Sequence, residues 1–435
     1  MTNEKKPAGA TPPAPPRPPA PFPPVSPFGP PRVAPPAVSP AQATATIEPY
    51  RILFPLGVLY AVVSALLWPI HALGWIPYAA VTHWTLMIQG FQHCFILGFL
   101  LTALPAFLHS DRCRPSELAV VATAMVVLGI STIAGWVIAA QAAYLVTLLA
   151  LALVAARRIP VRRGDPPEEF VFVALGLLVG FGGALWAIAT AAGWAPEPAP
   201  RFALHLVARG LVLSIVLGVG GLLVPTFTAM REPLVVVGIA KPGERLPRRR
   251  VYVPLALLFL ASLVAEAYGR PGLGAWLRVA AATPILLLVW KVFRFPGRPD
   301  LLSFALWMAG WFILLGLWFS ALLPAHAIAG FHIVFLGGFG LLTLGIATRV
   351  VVTHGKFPLQ YERTILTPRV IALALTALVL RVVGEFAPRL STQFYGVGGT
   401  LWALTWIDWG WRAVPCMIRK ATDTVTLERL KYAPR

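Results

Sequence analysis

From Tyr50 onward the chain alternates between runs of about twenty apolar residues and short polar connectors. Each run is long enough to cross roughly 30 Å of hydrocarbon as a helix. A helix satisfies its own backbone hydrogen bonds, as lipid requires. The runs lie near 50–71, 80–108, 117–136, 138–156, 170–192, 202–229, 251–269, 274–292, 301–323, 326–349, 370–387 and 396–418. The pattern predicts an all-α, polytopic membrane bundle of about twelve transmembrane helices spanning 49–420. The break at 136–138 is the shortest, and without it the count is eleven. Residues 1–48 differ: they hold 16 of the 43 prolines and few large apolar side chains. Such a stretch cannot bury enough surface to fold, so a disordered, partly polyproline tail is expected. Its PxxP spacings suit a solvated linker or a segment that recruits a partner domain. Residues 421–435 read as a short basic tail.

Composition agrees with a lipid environment. Hydrophobic residues make up 57% and charged residues 12%, against roughly 25% charged in a soluble domain. The net charge of +19 would suggest nucleic acid if it formed one patch. Instead the basic residues sit in short loops between apolar runs, so no nucleic-acid partner is expected. The loops after the second, fourth, sixth, eighth and tenth runs carry about nineteen Lys and Arg, while the intervening loops carry Arg201, Arg270 and Arg389. That bias predicts both termini in the cytoplasm of a bacterial inner membrane, with loops 109–116, 157–169, 230–250, 294–300 and 350–369 facing inward. Cys94, Cys113 and Cys416 form neither CxxC nor CxxCH, which argues against a disulfide framework or covalently attached haem. The proline-rich start does not read as a cleavable signal peptide.

With that orientation, six of the eight histidines fall in the outer half: His71, His83, His93, His205, His326 and His332. Histidine also suits membrane interfaces, but His93 and His332 lie deeper, and a neutral imidazole there needs a partner for its N–H. Gly337, Gly338 and Gly340 beside His332 permit close approach of a helix or a flat cofactor. Glu266/Arg270, Arg381/Glu385 and Asp408/Arg412 have i,i+4 spacing and read as structural ion pairs. Arg209 has no acid within reach on its own helix and calls for an anion from elsewhere, from a cofactor or from another helix. His83 and Met87 share a face, with Cys94 two turns further on. These are soft ligands of the kind that suits copper, but Met87 and Cys94 stand about 10 Å apart along the axis. One ion cannot use all three without a break in the helix, so ordinary packing is the better account.

Three segments carry a resemblance. FQHCFILGFLLTALPAFL from Phe91, VGGLLVPTFT from Val219 and HIVFLGGFGLLTLGIATRVVVTHGKFPL from His332 resemble signature segments of the NnrS family. The chain departs from them at Phe91, Cys94, Phe95, Leu222 and Gly355-Lys356-Phe357, and so reads as a divergent member. The resemblance implies about twelve spans, non-covalent b-type-like haem, copper, and a role in the nitric oxide or nitrosative-stress response. It also implies His93 and His332, which match family histidines, as the leading axial ligands. The residues themselves add His205 in reserve, Arg209 as a cofactor contact through its missing counter-ion, and His83 beside His93 and His332 as a metal-binding candidate. Nitric oxide would be the small-molecule ligand, bound, sensed or reduced. Reduction would require an electron donor and a proton route, and the sequence shows no chain of acids for protons.

The competing reading is a transporter without a redox cofactor. Helices broken at Pro105, Pro225 and Pro284 would line its path, and Arg209 would bind an anionic solute. No six-plus-six internal repeat is visible to support it.

Overall fold

The computed structural model describes residues 47–162, 166–196, 202–229 and 251–418. The expected proline-rich tail up to residue 46, the basic loop 230–250 and the C-terminal tail lie outside the described residues. The rest is all-α, with no strand among the described residues. Its helices are α1 (Tyr50–Ala72), α2 (Ala80–Phe107), α3 (Pro115–Ile133), α4 (Val137–Arg158), α5 (Phe170–Ala191), α6 (Phe202–Phe227), α7 (Tyr252–Ala267), α8 (Pro271–Val289), α9 (Leu301–Leu322), α10 (Pro324–His354), α11 (Pro368–Phe386) and α12 (Ser391–Ile418).

These helices occupy the apolar runs one for one, and the break between α3 and α4 is a true helix end, turned by Gly135 at φ 77°. Nine of them, among the described residues, are long and apolar enough to cross a membrane, or ten if α11 is joined to the short helix before it. Of the remainder, α7 has only 16 residues. The protein is thus a multi-pass membrane bundle.

Three helices form the interior. Of the membrane-length stretch of α6, 94% is buried, and of α2 and α10, 72% and 61%, against 39–56% for the other qualifying spans. The remaining helices wrap around this trio, and α12 closes the ring by packing along α1.

The inner helices are copies of one design. Each contains a π-helical stretch: Leu86–Gln92, Leu206–Val212 and Ile333–Gly340. Each carries a glycine at the same place in that stretch, Gly90, Gly210 and Gly337, and a second two turns later, Gly98, Gly218 and Gly345. Each is followed, at the same interval, by a residue with positive φ: His109, Ala229 and Lys356. The glycines admit the helix that precedes each inner helix. A Cβ on Gly98 would lie 2.7 Å from the Phe54 ring of α1, one on Gly218 2.6 Å from the Glu169 carbonyl before α5, and one on Gly345 2.8 Å from Leu306 of α9. The bundle is therefore built from three four-helix units, α1–α4, α5–α8 and α9–α12, rather than two six-helix halves.

Two local expectations need correction. Pro105 and Pro225 do not break their helices, because each lies in the last turns of a continuous one, and Pro284 marks only the passage from α to π in α8. Glu266 does not pair with Arg270. α7 ends at Ala267 and the chain turns through Gly269 at φ 69°, so the helical spacing that would align the two is lost. The other two pairs form as expected: Arg381–Glu385 at 3.4 Å and Arg412–Asp408 at 3.2 Å.

Candidate functional site

A cavity of about 200 Å3 opens where α2, α6 and α10 begin, with α1, α11 and α12 completing its wall. Its lining is mostly aromatic and aliphatic, and its chemistry comes from His83, His205, Arg209, His332 and Arg381. The π-helical stretches begin here: Leu206 directly follows His205, and Ile333 directly follows His332. An extra residue in a turn widens the helix and redirects the side chains beside it, a common arrangement at binding sites.

Hydrogen bonds fix how the imidazoles are presented. His332 Nδ1 lies 2.8 Å from the Ile328 carbonyl oxygen. A carbonyl only accepts, so Nδ1 carries the proton and Nε2 keeps its lone pair. His83 Nδ1 lies 2.9 Å from the Ser64 carbonyl oxygen and 3.1 Å from Ser64 Oγ. The Ser64 hydroxyl already donates to the His83 carbonyl at 2.9 Å, so this Nδ1 is also the donor. Both side chains therefore offer a bare Nε2 in one cavity, the state in which histidine ligates a metal. His83 further packs edge-on against Trp68.

His93 is placed elsewhere. It is fully buried, packs on Tyr144, and is not part of the cavity lining. Its Nε2 lies 2.9 Å from Thr147 Oγ1, whose own proton goes to the Tyr144 carbonyl at 2.6 Å. Nε2 is thus the donor, and Nδ1 is buried without a partner. The structure therefore brings His83, His205, Arg209 and His332 together, and leaves His93 behind them against α4. The soft trio is likewise split. His83 and Met87 share the cavity, whereas Cys94 is buried outside its lining. Among the described residues no group of three or more His, Cys, Asp or Glu is gathered in a way that could hold a metal ion.

The anion that Arg209 calls for comes from another helix. Its Nη1 donates to Glu266 Oε1 of α7 at 3.2 Å, and its guanidinium lies 3.9 Å from the centre of the Phe331 ring. Arg278 of α8, which is 1% exposed, pairs with the same carboxylate oxygen. Sequence reading passed over Arg278. The only signal it offered was a charged residue inside an apolar run, since its partner is twelve positions away on a different helix. Across the cavity Arg381 is held by Glu385 and stacks on Tyr395, 4.1 Å from the ring centre.

The signature segments divide between the cavity and the opposite end of the bundle. All three lie on the inner helices. Arg349 pairs with Glu362 and covers the Phe227 ring, and His354 Nδ1 lies 3.1 Å from Glu48 Oε1. There they fasten α10 to the loop after it and to the segment leading into α1. Compared with known protein families, the chain matches the one described as NnrS protein over residues 45–420. No curated protein matches it.

Proposed function

The chain belongs to the NnrS family, and from that premise we propose that it binds haem non-covalently in the cavity of the inner helices and uses it to bind nitric oxide. The observation that carries this reading is the shared cavity of His83 and His332, each with Nδ1 tied to a backbone carbonyl and Nε2 bare. Flat aromatic walls, Gly398 and Gly399 on α12 and two guanidinium groups in the lining suit a planar ring with acidic substituents. His332 and His83 would hold the iron, with His205 in the same lining as reserve. A bound haem would supply an iron that takes a diatomic gas where one of these imidazoles gives way.

The protein's own part is to orient and exclude. The carbonyl bonds hold both rings in one tautomer, with the proton on Nδ1 and the ligating lone pair on Nε2. A neutral diatomic gas concentrates in lipid, so a cavity within the bundle receives it from the membrane. No acid lines the cavity among the described residues, and Glu266 and Glu385, which pair with its arginines, are engaged by them. This favours binding or sensing of nitric oxide over its proton-consuming reduction. We further propose a bacterial inner-membrane location with both termini in the cytoplasm, supported by the basic loops.

The deciding experiment is an optical spectrum of the purified protein. A Soret band with reducible α and β bands is expected. A protein isolated from haem-replete cells that neither shows these bands nor takes up added haem would end this reading.

A further inference from the structure

We propose that the cavity holds its ligand by a single carboxylate set against Arg209, an inference that deepens the haem reading and rests on it for the ligand's identity. The argument starts from a charge count. Arg209 and Arg278 both contact Glu266 Oε1, and Glu266 is the one acid touching either guanidinium among the described residues. Arginine stays protonated in proteins. Two positive charges and one negative charge therefore leave one positive charge uncompensated within the bundle.

The three groups are not equivalent. Arg278 and Glu266 side chains are 1% and 5% exposed, whereas Arg209 is 17% exposed and lines the cavity. Arg278 draws on the Glu266 oxygen that would otherwise neutralise Arg209 fully. The surplus charge thus appears where a ligand can meet it. The Phe331 ring lies under Arg209 and within 5.9 Å of Arg278. A ring face attracts a cation only modestly and cannot replace a counter-ion. On the far wall Arg381 has its own acid, Glu385, so the surplus belongs to the Arg209 side.

The ligand group that fits is a planar monoanion. A guanidinium fork matches a carboxylate in geometry, and the single surplus charge matches one carboxylate better than a dianionic phosphate. The mostly apolar lining asks that the rest of the ligand be hydrophobic.

The test compares haem with its dimethyl ester, in which the carboxylates are masked, on the purified full-length protein freed of bound haem. Binding is followed by Soret titration and by fluorescence of Trp68, Trp84 and Trp402, which line the cavity. The ester is expected to bind about ten- to a hundredfold more weakly, the size of a charge-assisted hydrogen bond. In Arg209→Leu the two should bind alike, and in Arg209→Lys the difference should be intermediate. Equal binding of haem and ester to the wild-type protein overturns the carboxylate inference and leaves the haem reading standing. If neither binds, the haem reading fails and benzoate becomes the probe. Benzoate quenching tryptophan fluorescence in the wild type but not in Arg209→Leu would uphold a carboxylate site for a free acid. No difference between them would overturn it.

Discussion

His332 donates its Nδ1–H to the carbonyl oxygen of Ile328, 2.8 Å away and one helical turn earlier. That bond uses a carbonyl at the point where α10 passes into its π-helical stretch, and it leaves Nε2 as the only atom of the ring able to ligate. His83 reaches the same state through Ser64 on α1. Two helices from different parts of the sequence thus present the same donor atom to one cavity.

Replacing either imidazole should therefore change the bound chromophore. His332→Ala and His83→Ala are each expected to shift or abolish the Soret band while leaving protein in the membrane. His93→Ala should keep the spectrum and lower stability by about 1–3 kcal/mol, because it removes the partner of Thr147 and leaves a void beside Tyr144. Optical spectra together with thermal unfolding in detergent separate the two outcomes. A lost band in His93→Ala with unchanged bands in the other two would move the site to α2 and α4.

Much of this could be read from the chain, for a physical reason. A membrane span is a local property, so hydropathy alone placed each helix, though the break expected at 136–138 is turned slightly earlier, at Gly135. Arg209 was legible too, because an unpaired charge inside an apolar run demands a partner wherever it lies. What stayed hidden was non-local. Glu266 reads as Arg270's partner until α7 is seen to end at Ala267. Arg278 is explained only by its contact with α7. His93 reads as the deeper and stronger candidate of the two histidines on α2, and only the packing of α4 shows that it is enclosed while His83 is left in the cavity. The threefold repeat was present as glycine pairs at equal spacing, Gly90/Gly98, Gly210/Gly218 and Gly337/Gly345. A search for two halves could not find it.

The clasp between Glu48 and His354 should make stability depend on acidity. Burial acts to raise the Glu48 carboxyl, but the His354 bond and the charge of Arg51 outweigh it and hold the group below its ordinary value. A group depressed in the folded state stabilises the fold above its unfolded pKa, and this contribution is lost as pH falls through the folded value. Glu48→Gln is expected to cost under about 1 kcal/mol near neutral pH, since the pair is partly exposed. It should cost nothing measurable once the pH is well below the usual carboxylate range. Melting temperatures of both proteins at neutral and acidic pH test this, and a deficit that persists in acid would show that the clasp is not electrostatic.

The proposed orientation places the loop between α2 and α3 in the cytoplasm and the turn between α1 and α2 outside. Cys94, Cys113 and Cys416 are all buried, so they should give little background. A cysteine at Asp111 should resist an impermeant reagent in cells whose inner membrane is intact and react once that membrane is opened. A cysteine at Gly74 should react in both. The reverse pattern would invert the whole topology, since all connectors alternate together.

The last prediction concerns Glu266 as a structural charge. Its carboxylate is almost fully buried between Arg209 and Arg278, and removing one partner of a buried ionic cluster leaves the others without compensation. Glu266→Gln keeps the shape and some hydrogen bonding but strands two guanidinium groups. A loss of roughly 3–5 kcal/mol is expected. Arg278→Met should cost less, because it removes one of two like charges competing for a single acid and leaves the Arg209–Glu266 pair neutral. The double variant Glu266→Gln, Arg278→Met should recover part of the deficit, since only one unpaired cation then remains and Arg209 can turn toward the cavity. Thermal unfolding of the four proteins in one detergent gives the coupling directly. If Arg278→Met proves as damaging as Glu266→Gln, the surplus charge is not a burden the fold carries, and some other anion must already balance it.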